Sequence, residues 1–288
     1  MNLINNPSFT IGILSFNHPE LTQRTIESCL KIVNQEQVII CHNGSENRWV
    51  ERLQSQYPRL KHLIIKENFG FTSGANQLLT FAFKEFEWCL FLTNDVQLLN
   101  FKCPENKAFI APLIYRRKLN QIDSVGGHFY PNEGKLEHCR SSQAFLQLPK
   151  DALPYIPGTA FWLHRIVFNK VGLFNIKLNT YWEDVDYSQR VIELGFNLET
   201  TDKTQILHSV GKTCHKKKFY TNYLFLRNKY YVSLKYTKNY PREVIFKILY
   251  WYQWARDLLK AFLKKDTEVV LIKIRIFKDL MFDSELSN

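Results

Sequence analysis

FTIGILSFNHPELTQRTIESCL, residues 9–30, holds a short apolar, β-rich run from Phe9 to Phe16, a polar tip at Asn17, His18 and Pro19, and a helical pattern through Leu30. That is strand, loop, helix. The unit recurs. Gln37 to Cys41 is a second strand ending in HNGS (residues 42–45), with a helix from about Arg48 to Tyr57. His62 to Lys66 is a third, running into NFGFTSGAN (68–76) and a helix through about Phe86, and Trp88 to Leu92 is a fourth buried strand that ends at TND (93–95). Strands and helices alternating at this pace predict an α/β fold with a mostly parallel sheet, right-handed crossovers and flanking helices. Ligands of such sheets bind beyond the carboxyl ends of the strands. Asn17, His42 to Ser45, Asn68 to Asn76 and Thr93 to Asp95 all fall at those ends and are expected to line one rim. Each tip alone fits an ordinary turn; four on one edge point to a site.

Length and composition set the bounds. With 288 residues, 45% hydrophobic and 15% aromatic, the chain can bury a sizeable core and is not of disordered composition. Its net charge of +11 is unevenly placed: residues 1–202 carry 20 basic and 20 acidic side chains, whereas residues 203–288 carry 18 against 7. A basic C-terminal third on a neutral body is expected to meet an anionic surface, lipid or nucleic acid, or else is simply a solvated face. The six cysteines show no CxxC pair and several sit in apolar runs, which fits free thiols in a reducing cytoplasm. His208, Cys214 and His215 group loosely without a fourth ligand at zinc spacing. MNLINNPSF has neither the basic start nor the apolar run of a secretory signal, and no uncharged apolar stretch is long enough to span a bilayer. A soluble or peripheral protein is expected.

Two carboxylate positions carry the chemical interest. Asp95 follows the apolar strand WCLFL and is the one carboxylate expected on the rim; it reads as a turn former, or as a ligand for Mg²⁺ or Mn²⁺, which take one or two carboxylates and fill their shell with phosphates and water. The second is YWEDVDYSQR, residues 181–190, which sets Glu183, Asp184 and Asp186 at the start of a predicted helix. Acidic residues there are favoured by the helix dipole, so the cluster fits a capped helix. Asp186 and Arg190 are i and i+4 and can pair, which leaves Asp184 for other work, such as general-base catalysis. Gly158 and Thr159, in IPGTAF, bring backbone close to a ligand or mark a strand bend. Trp182 stacks on a ligand or is buried.

Beyond about Gly211, KTCHKKKFY gives way to helix through about Tyr236. After Pro241, the residues Ile245, Ile248, Tyr252, Ala255, Leu259 and Phe262 form one apolar helix stripe flanked by Trp251, Trp254, Lys247, Arg256, Lys260, Lys264 and Lys265. Such a helix lies on an anionic leaflet or packs on the catalytic body or a second subunit. Val269 to Phe277 fits strand or helix.

Strand 1 with Asn17, HNGS, N-x-G-F-x-x-G-x-N (68–76), TNDV, PGTAFWLHR, VGLF and YWEDVDYSQR stand in the order found in family-2 glycosyltransferases. Over about residues 8–210 the chain resembles the bacterial rhamnosyltransferase-like branch of that family. The resemblance implies a GT-A fold over residues 1–210, with a nucleotide-sugar half (about 1–100) and an acceptor half (about 101–210), followed by a basic helical region, 211–288. It implies inverting transfer of a sugar from a nucleotide-diphosphate donor, UDP or dTDP ahead of GDP, to a glycan or lipid-linked glycan in bacterial surface polysaccharide assembly. It further implies a divalent cation, Mg or Mn.

By the same resemblance Asp95 matches the last acidic position of a D-x-D metal site, and His208, in LHSVGKT, the histidine that reaches back to the metal or diphosphate. Asp184 matches the base, with Glu183 beside it. Asn17, His42, Asn43, Asn68, Gly70, Gly74, Asn76, Asn94 and Asp95 fall on the nucleotide-sugar side; Gly158, Thr159 and Trp182 fall near donor sugar or acceptor. Thr93 replaces the first Asp of D-x-D, and His42 replaces an Asp that commonly helps to recognise the base. Alternatives are an inactive member of the family, a nucleotidyltransferase, for which SFNHPE lacks the glycine-rich basic loop, and a nucleic-acid-binding protein using the basic third. Expected settings are the cytoplasm or the inner face of its membrane, with homo-oligomers open.

Overall fold

The computed structural model describes residues 8–116, 121–209, 218–237 and 240–282. The first half follows the predicted alternation: β1 (Phe9–Ser15), α1 (Pro19–Leu30), β2 (Val38–Asn43), α2 (Asn47–Gln56), β3 (Lys61–Ile65), α3 (Phe71–Ala82) and β4 (Trp88–Thr93). Pro19 opens α1 at a position where its missing N–H costs nothing. The second half runs β5 (Val96–Asn100), β6 (Phe109–Arg116), β7 (Ile122–Ser124), β8 (Gly127–Tyr130), β9 (Lys135–His138), α4 (Ser142–Leu146) and β10 (Leu153–Tyr155). It closes with β11 (Ala160–His164), α5 (Arg165–Val171), α6 (Glu183–Glu193) and β12 (Leu198–His208), and the helices α7 (Lys218–Tyr236), α8 (Tyr240–Leu263) and α9 (Thr267–Phe282) follow.

The large sheet has the order β3-β2-β1-β4-β11-β6-β12-β5, with β7 on β6. β1 to β4 pair in parallel, because a helix separates each from the next and returns the chain to the same edge. The second half is mixed: β12 pairs in parallel with β6. β11 enters antiparallel between β4 and β6, and β5, which leaves β4 after only two residues, runs antiparallel to β12. A small antiparallel sheet, β10-β8-β9, stands apart.

Alternate residues of β1 serve opposite faces. Ile11 and Ile13 enter a core with Ile26, Leu90 and Trp162; Leu14 enters the other, with Leu78, Phe91, Phe161 and Tyr187. Five described cysteines are free, and four of them are buried as small apolar groups.

The C-terminal helices are joined to this body. Val232 and Tyr236 of α7 share a core with Leu178, Trp182 and Val185, and Ile272 and Ile276 of α9 pack on Tyr223 and Leu224 of α7. α8 turns Phe246, Tyr250 and Ala261 inward, so the stripe Ile245, Ile248, Tyr252, Ala255, Leu259 and Phe262 faces outward and does not pack on the catalytic body. Val269 to Phe277 is helical, within α9. The expected boundary at residue 211, the lysine run that starts at Lys212, and Cys214 and His215 lie outside the described residues.

Candidate active site

The tip after β1 is held in an unusual backbone: Asn17 and His18 both have positive φ, 51° and 50°. The Asn17 amide donates to Ser45 Oγ, its side-chain oxygen accepts from the Glu46 amide at 3.4 Å, and Asn94 Nδ2 donates to its carbonyl at 3.2 Å. The tips of β1, β2 and β4 are therefore tied together, as the sequence predicts.

Several residues expected to touch a nucleotide are instead occupied with the fold. His42 is 1% exposed and its Nε2 lies 3.0 Å from Nδ1 of His62, ring parallel to ring. Burial, and secondarily His62, push its pKa down to about 4, so it is a neutral, enclosed residue and not one presented to a ligand. Asn76 uses both ends of its amide on the backbone of Phe174, at 2.9 and 2.8 Å. Asn43 donates to Asn68 Oδ1 and to the Gly70 carbonyl, and Asn68 accepts from the Gly70 amide. Gly70 has φ of +95°, and a Cβ there would collide with the Asn179 amide; one on Gly74 would press Leu14 and Asn43. The glycine–asparagine run thus knits the loop after β3 to residues 174–180.

On the other side of the rim, Asp95 is met by His208. Nε2 of His208 lies 3.4 Å from Asp95 and Nδ1 lies 3.6 Å from Asp123 of β7, ion-pair distances. Burial opposes charge on this imidazole, but Asp123 and Asp95 outweigh it and raise its pKa to about 9. Asp123, whose own pKa is lowered chiefly by His208, makes a second carboxylate here, which corrects the expectation that Asp95 stands alone. A signal was present in IDSVGG, an aspartate just ahead of two glycines. Thr93 donates to Asp95 Oδ1 at 2.7 Å and aims that carboxylate. Among the described residues no three His, Cys, Asp or Glu side chains are grouped so as to hold a metal ion. Asp95, with Asp123 near it, offers carboxylate oxygens of the type that a hard cation takes alongside phosphate and water, and His208 is ion-paired between them.

Asp184 sits at the first turn of α6. Its Oδ2 accepts from the Gly158 amide at 2.9 Å and its Oδ1 from the Val185 amide at 2.8 Å. Burial raises its pKa while these two amides and His138 of β9 oppose the rise. Glu183 is 5% exposed, with one oxygen unpartnered, and burial together with Asp184 raises its pKa well above the ordinary range. The pair therefore favours one negative charge, on Asp184. The next link joins both sides: the Thr159 carbonyl accepts from the amide and the hydroxyl of Thr93, at 3.0 and 3.2 Å. One dipeptide, Gly158–Thr159, holds Asp184 at one end and the Thr93–Asp95 pair at the other.

The entry to α6 is strained, with Tyr181 and Trp182 at φ of 71° and 69°. Asn228 of α7, fully buried, donates to the carbonyls of Leu178, Thr180 and Tyr181 at 2.7, 3.0 and 2.8 Å. Asp186 pairs with Arg190 at 3.0 Å, as expected, and also with Lys235 of α7 at 2.7 Å. Trp182 is 2% exposed and packs against Phe129 and Phe225. It offers no face for stacking on a sugar, because the positive-φ turn folds it into the core under α7. Sequence reasoning missed Asn228, Asp123 and His138, all remote in sequence from the motifs.

The family model for glycosyl transferase family 2 matches residues 10–172. No curated protein matches the chain. Similar solved structures include GalNAc-T7 with UDP, GalNAc and Mn²⁺ (14% identity, 79% of this chain and 48% of that one, TM-score 0.60). They also include the mannosyltransferase PcManGT from Pyrobaculum calidifontis with GDP-Man and Mn²⁺ (12% identity, 96% and 88%, TM-score 0.54) and S. aureus TarS (13% identity, 81% and 40%, TM-score 0.50). The chain spans about half the length of the GalNAc-T7 chain. These likenesses show a GT-A fold.

Proposed function

The chain belongs to glycosyl transferase family 2, and from that premise we propose that it moves a sugar from a nucleotide-diphosphate donor to a glycan hydroxyl with inversion, using Asp184 as the base. The observation that carries this reading is the Gly158–Thr159 dipeptide, which fixes a basic carboxylate opposite the Asp95 cluster.

In one displacement the acceptor oxygen bonds to the anomeric carbon as the bond to the donor phosphate breaks, through an oxocarbenium-like state. Asp184 takes the acceptor proton. Each of its oxygens keeps a lone pair beyond the one given to an amide, and burial makes it more basic than a surface aspartate. Glu183, favouring its protonated form, keeps a second charge away from Asp184 and orients it. Asp95, with Asp123 beside it, would hold a divalent cation, Mg²⁺ or Mn²⁺, and His208 would join them on giving up the proton that the two carboxylates hold on it. Bound there, the ion supplies Lewis-acid stabilisation of the leaving diphosphate. Asn17 and Asn94 brace the nucleotide side of the rim.

The order of motifs supports an acceptor in bacterial surface polysaccharide assembly, and UDP or dTDP as the carrier of the sugar. Free, buried cysteines support a reducing compartment such as the cytoplasm. Screening UDP-, dTDP- and GDP-sugars for binding and slow hydrolysis, with and without Mn²⁺, tests the proposal. Wild type should bind one class. Asp184→Asn should bind it as well yet lose about 10²- to 10⁴-fold in transfer rate, and Asp95→Ala should weaken binding. Wild-type transfer by Asp184→Asn would sink the mechanism.

A further inference from the structure

The outward side of α8 is apolar along its whole length. Ile248 is 62% exposed, Tyr252 67%, Phe262 72% and Leu263 73%, and Ile245, Leu249 and Leu259 continue the same face. On α9 the exposed Leu271, Ile274, Phe277 and Met281 step by 3, 3 and 4 residues and form a second apolar face. The two are joined, because the Phe277 ring lies 5.7 Å from those of Trp251 and Trp254 on α8. Monomeric soluble proteins rarely leave so extended an apolar surface to water.

The exposed charges set among and beside these residues are mostly basic. By helical position Arg256 stands within the α8 face and Lys260 beside Leu249 at its edge, while Lys278 stands within the α9 face and Arg275 beside Leu271 at its edge. The acidic residues of α8 lie off this face and are paired: Glu243 with Lys247, and Asp257 with Lys273 and Arg256. Two exposed acids, Asp266 and Glu268, stand at the α8–α9 turn beside Lys264 and Lys265, and the Asp266 side chain caps α9. A second copy of the chain laid on this face would set basic charge against basic charge. An anionic sheet of lipid gains from both the apolar face and its basic charges, with the exposed Tyr252 of the aromatic type that sits at headgroup level. Among the described residues no helix is long and apolar enough to cross a membrane, so contact is in the plane.

We propose that the outward face of α8 and α9 docks this protein on an anionic lipid bilayer surface. The full chain is mixed with vesicles of phosphatidylcholine alone or with added phosphatidylglycerol, sedimented, and its oligomeric state measured in parallel. Binding should require phosphatidylglycerol and weaken as salt rises. Ile248→Glu with Phe262→Glu, and separately Lys260→Glu with Lys264→Glu, should each reduce the partition coefficient at least about tenfold. Both pairs are exposed, so their melting curves should match wild type and exclude misfolding as the cause. Absence of vesicle binding by wild type, or unchanged binding by both variants, would overturn the proposal. So would a stable dimer that the Ile248/Phe262 variant converts to monomer, since the face would then belong to a second copy.

Discussion

Removing the Asn228 amide should unlock the entry to α6. The amide group has two hydrogens shared among three carbonyls, so Asn228→Ala forfeits the equivalent of two net hydrogen bonds, about 1–3 kcal/mol, and takes the Asn228 donor from the Thr180 carbonyl at a further cost of order 1 kcal/mol, while the Leu178 carbonyl keeps the Thr180 amide. A loss of about 3 kcal/mol corresponds to a melting temperature lower by roughly 6–12 °C for a chain of this size. Asn228→Asp should also destabilise, because a carboxylate keeps the two bonds from Arg227 yet has no hydrogen to offer the three carbonyls. Function should split in a definite way. The carbonyls belong to residues 178–181, immediately ahead of Glu183 and Asp184, whereas the tips of β1 and β4 are tied to one another elsewhere. Thermal scans with initial rates at varied donor and acceptor should therefore show kcat falling about tenfold or more in Asn228→Ala, with donor binding within about twofold. A melting temperature of Asn228→Ala within about 2 °C of wild type, or a kcat within about twofold of it, would refute this account of the clamp.

Four further outcomes are expected. His42 has a folded-state pKa of about 4 against an ordinary 6.5, so its contribution to stability is complete above pH 6.5 and is lost as pH falls from 6.5 toward 4; His42→Asn should remove about 3 kcal/mol of that dependence, read as the difference between wild-type and variant denaturation midpoints across pH. Gly70→Ala should cost about 1–3 kcal/mol from its positive φ alone and more from Asn179. Gly158→Ala, whose new Cβ would meet nothing closer than Phe71 at 3.4 Å, should melt as wild type while altering transfer rate. Trp182→Phe should leave the acceptor KM within about twofold, measured by initial rates, since the indole is buried; a large rise would restore the stacking role.

The first four strands were legible because each is an apolar run closed by a polar tip, and crossover helices force them parallel. The mixed half was not, since β11 and β5 are placed by partners far along the chain. In the site, the residue types of Asp95, Asp184 and His208 were readable from local motifs, and so was the Asp186–Arg190 pair from its i, i+4 spacing. What local pattern does not reveal is where an amide is spent. Asn76 and Asn43 look like ligand donors in sequence, yet they staple loops, while Asn228, in an unremarkable helix, secures the acidic cluster. Thr93 looked like a missing aspartate and turns out to orient the one that remains. The stripe on α8 was found by its period, but periodicity alone does not say whether a face looks in or out.

The Gly158–Thr159 dipeptide acts as a ruler. Its length is fixed by covalent bonds, so the points at which it bonds Asp184 and Thr93 stay a constant step apart; on the proposed mechanism that step sets the span between base and leaving group. Variation in sugar or linkage would then arise from the walls around a constant span, and a shift of register in this one segment would move both ends of the reaction together.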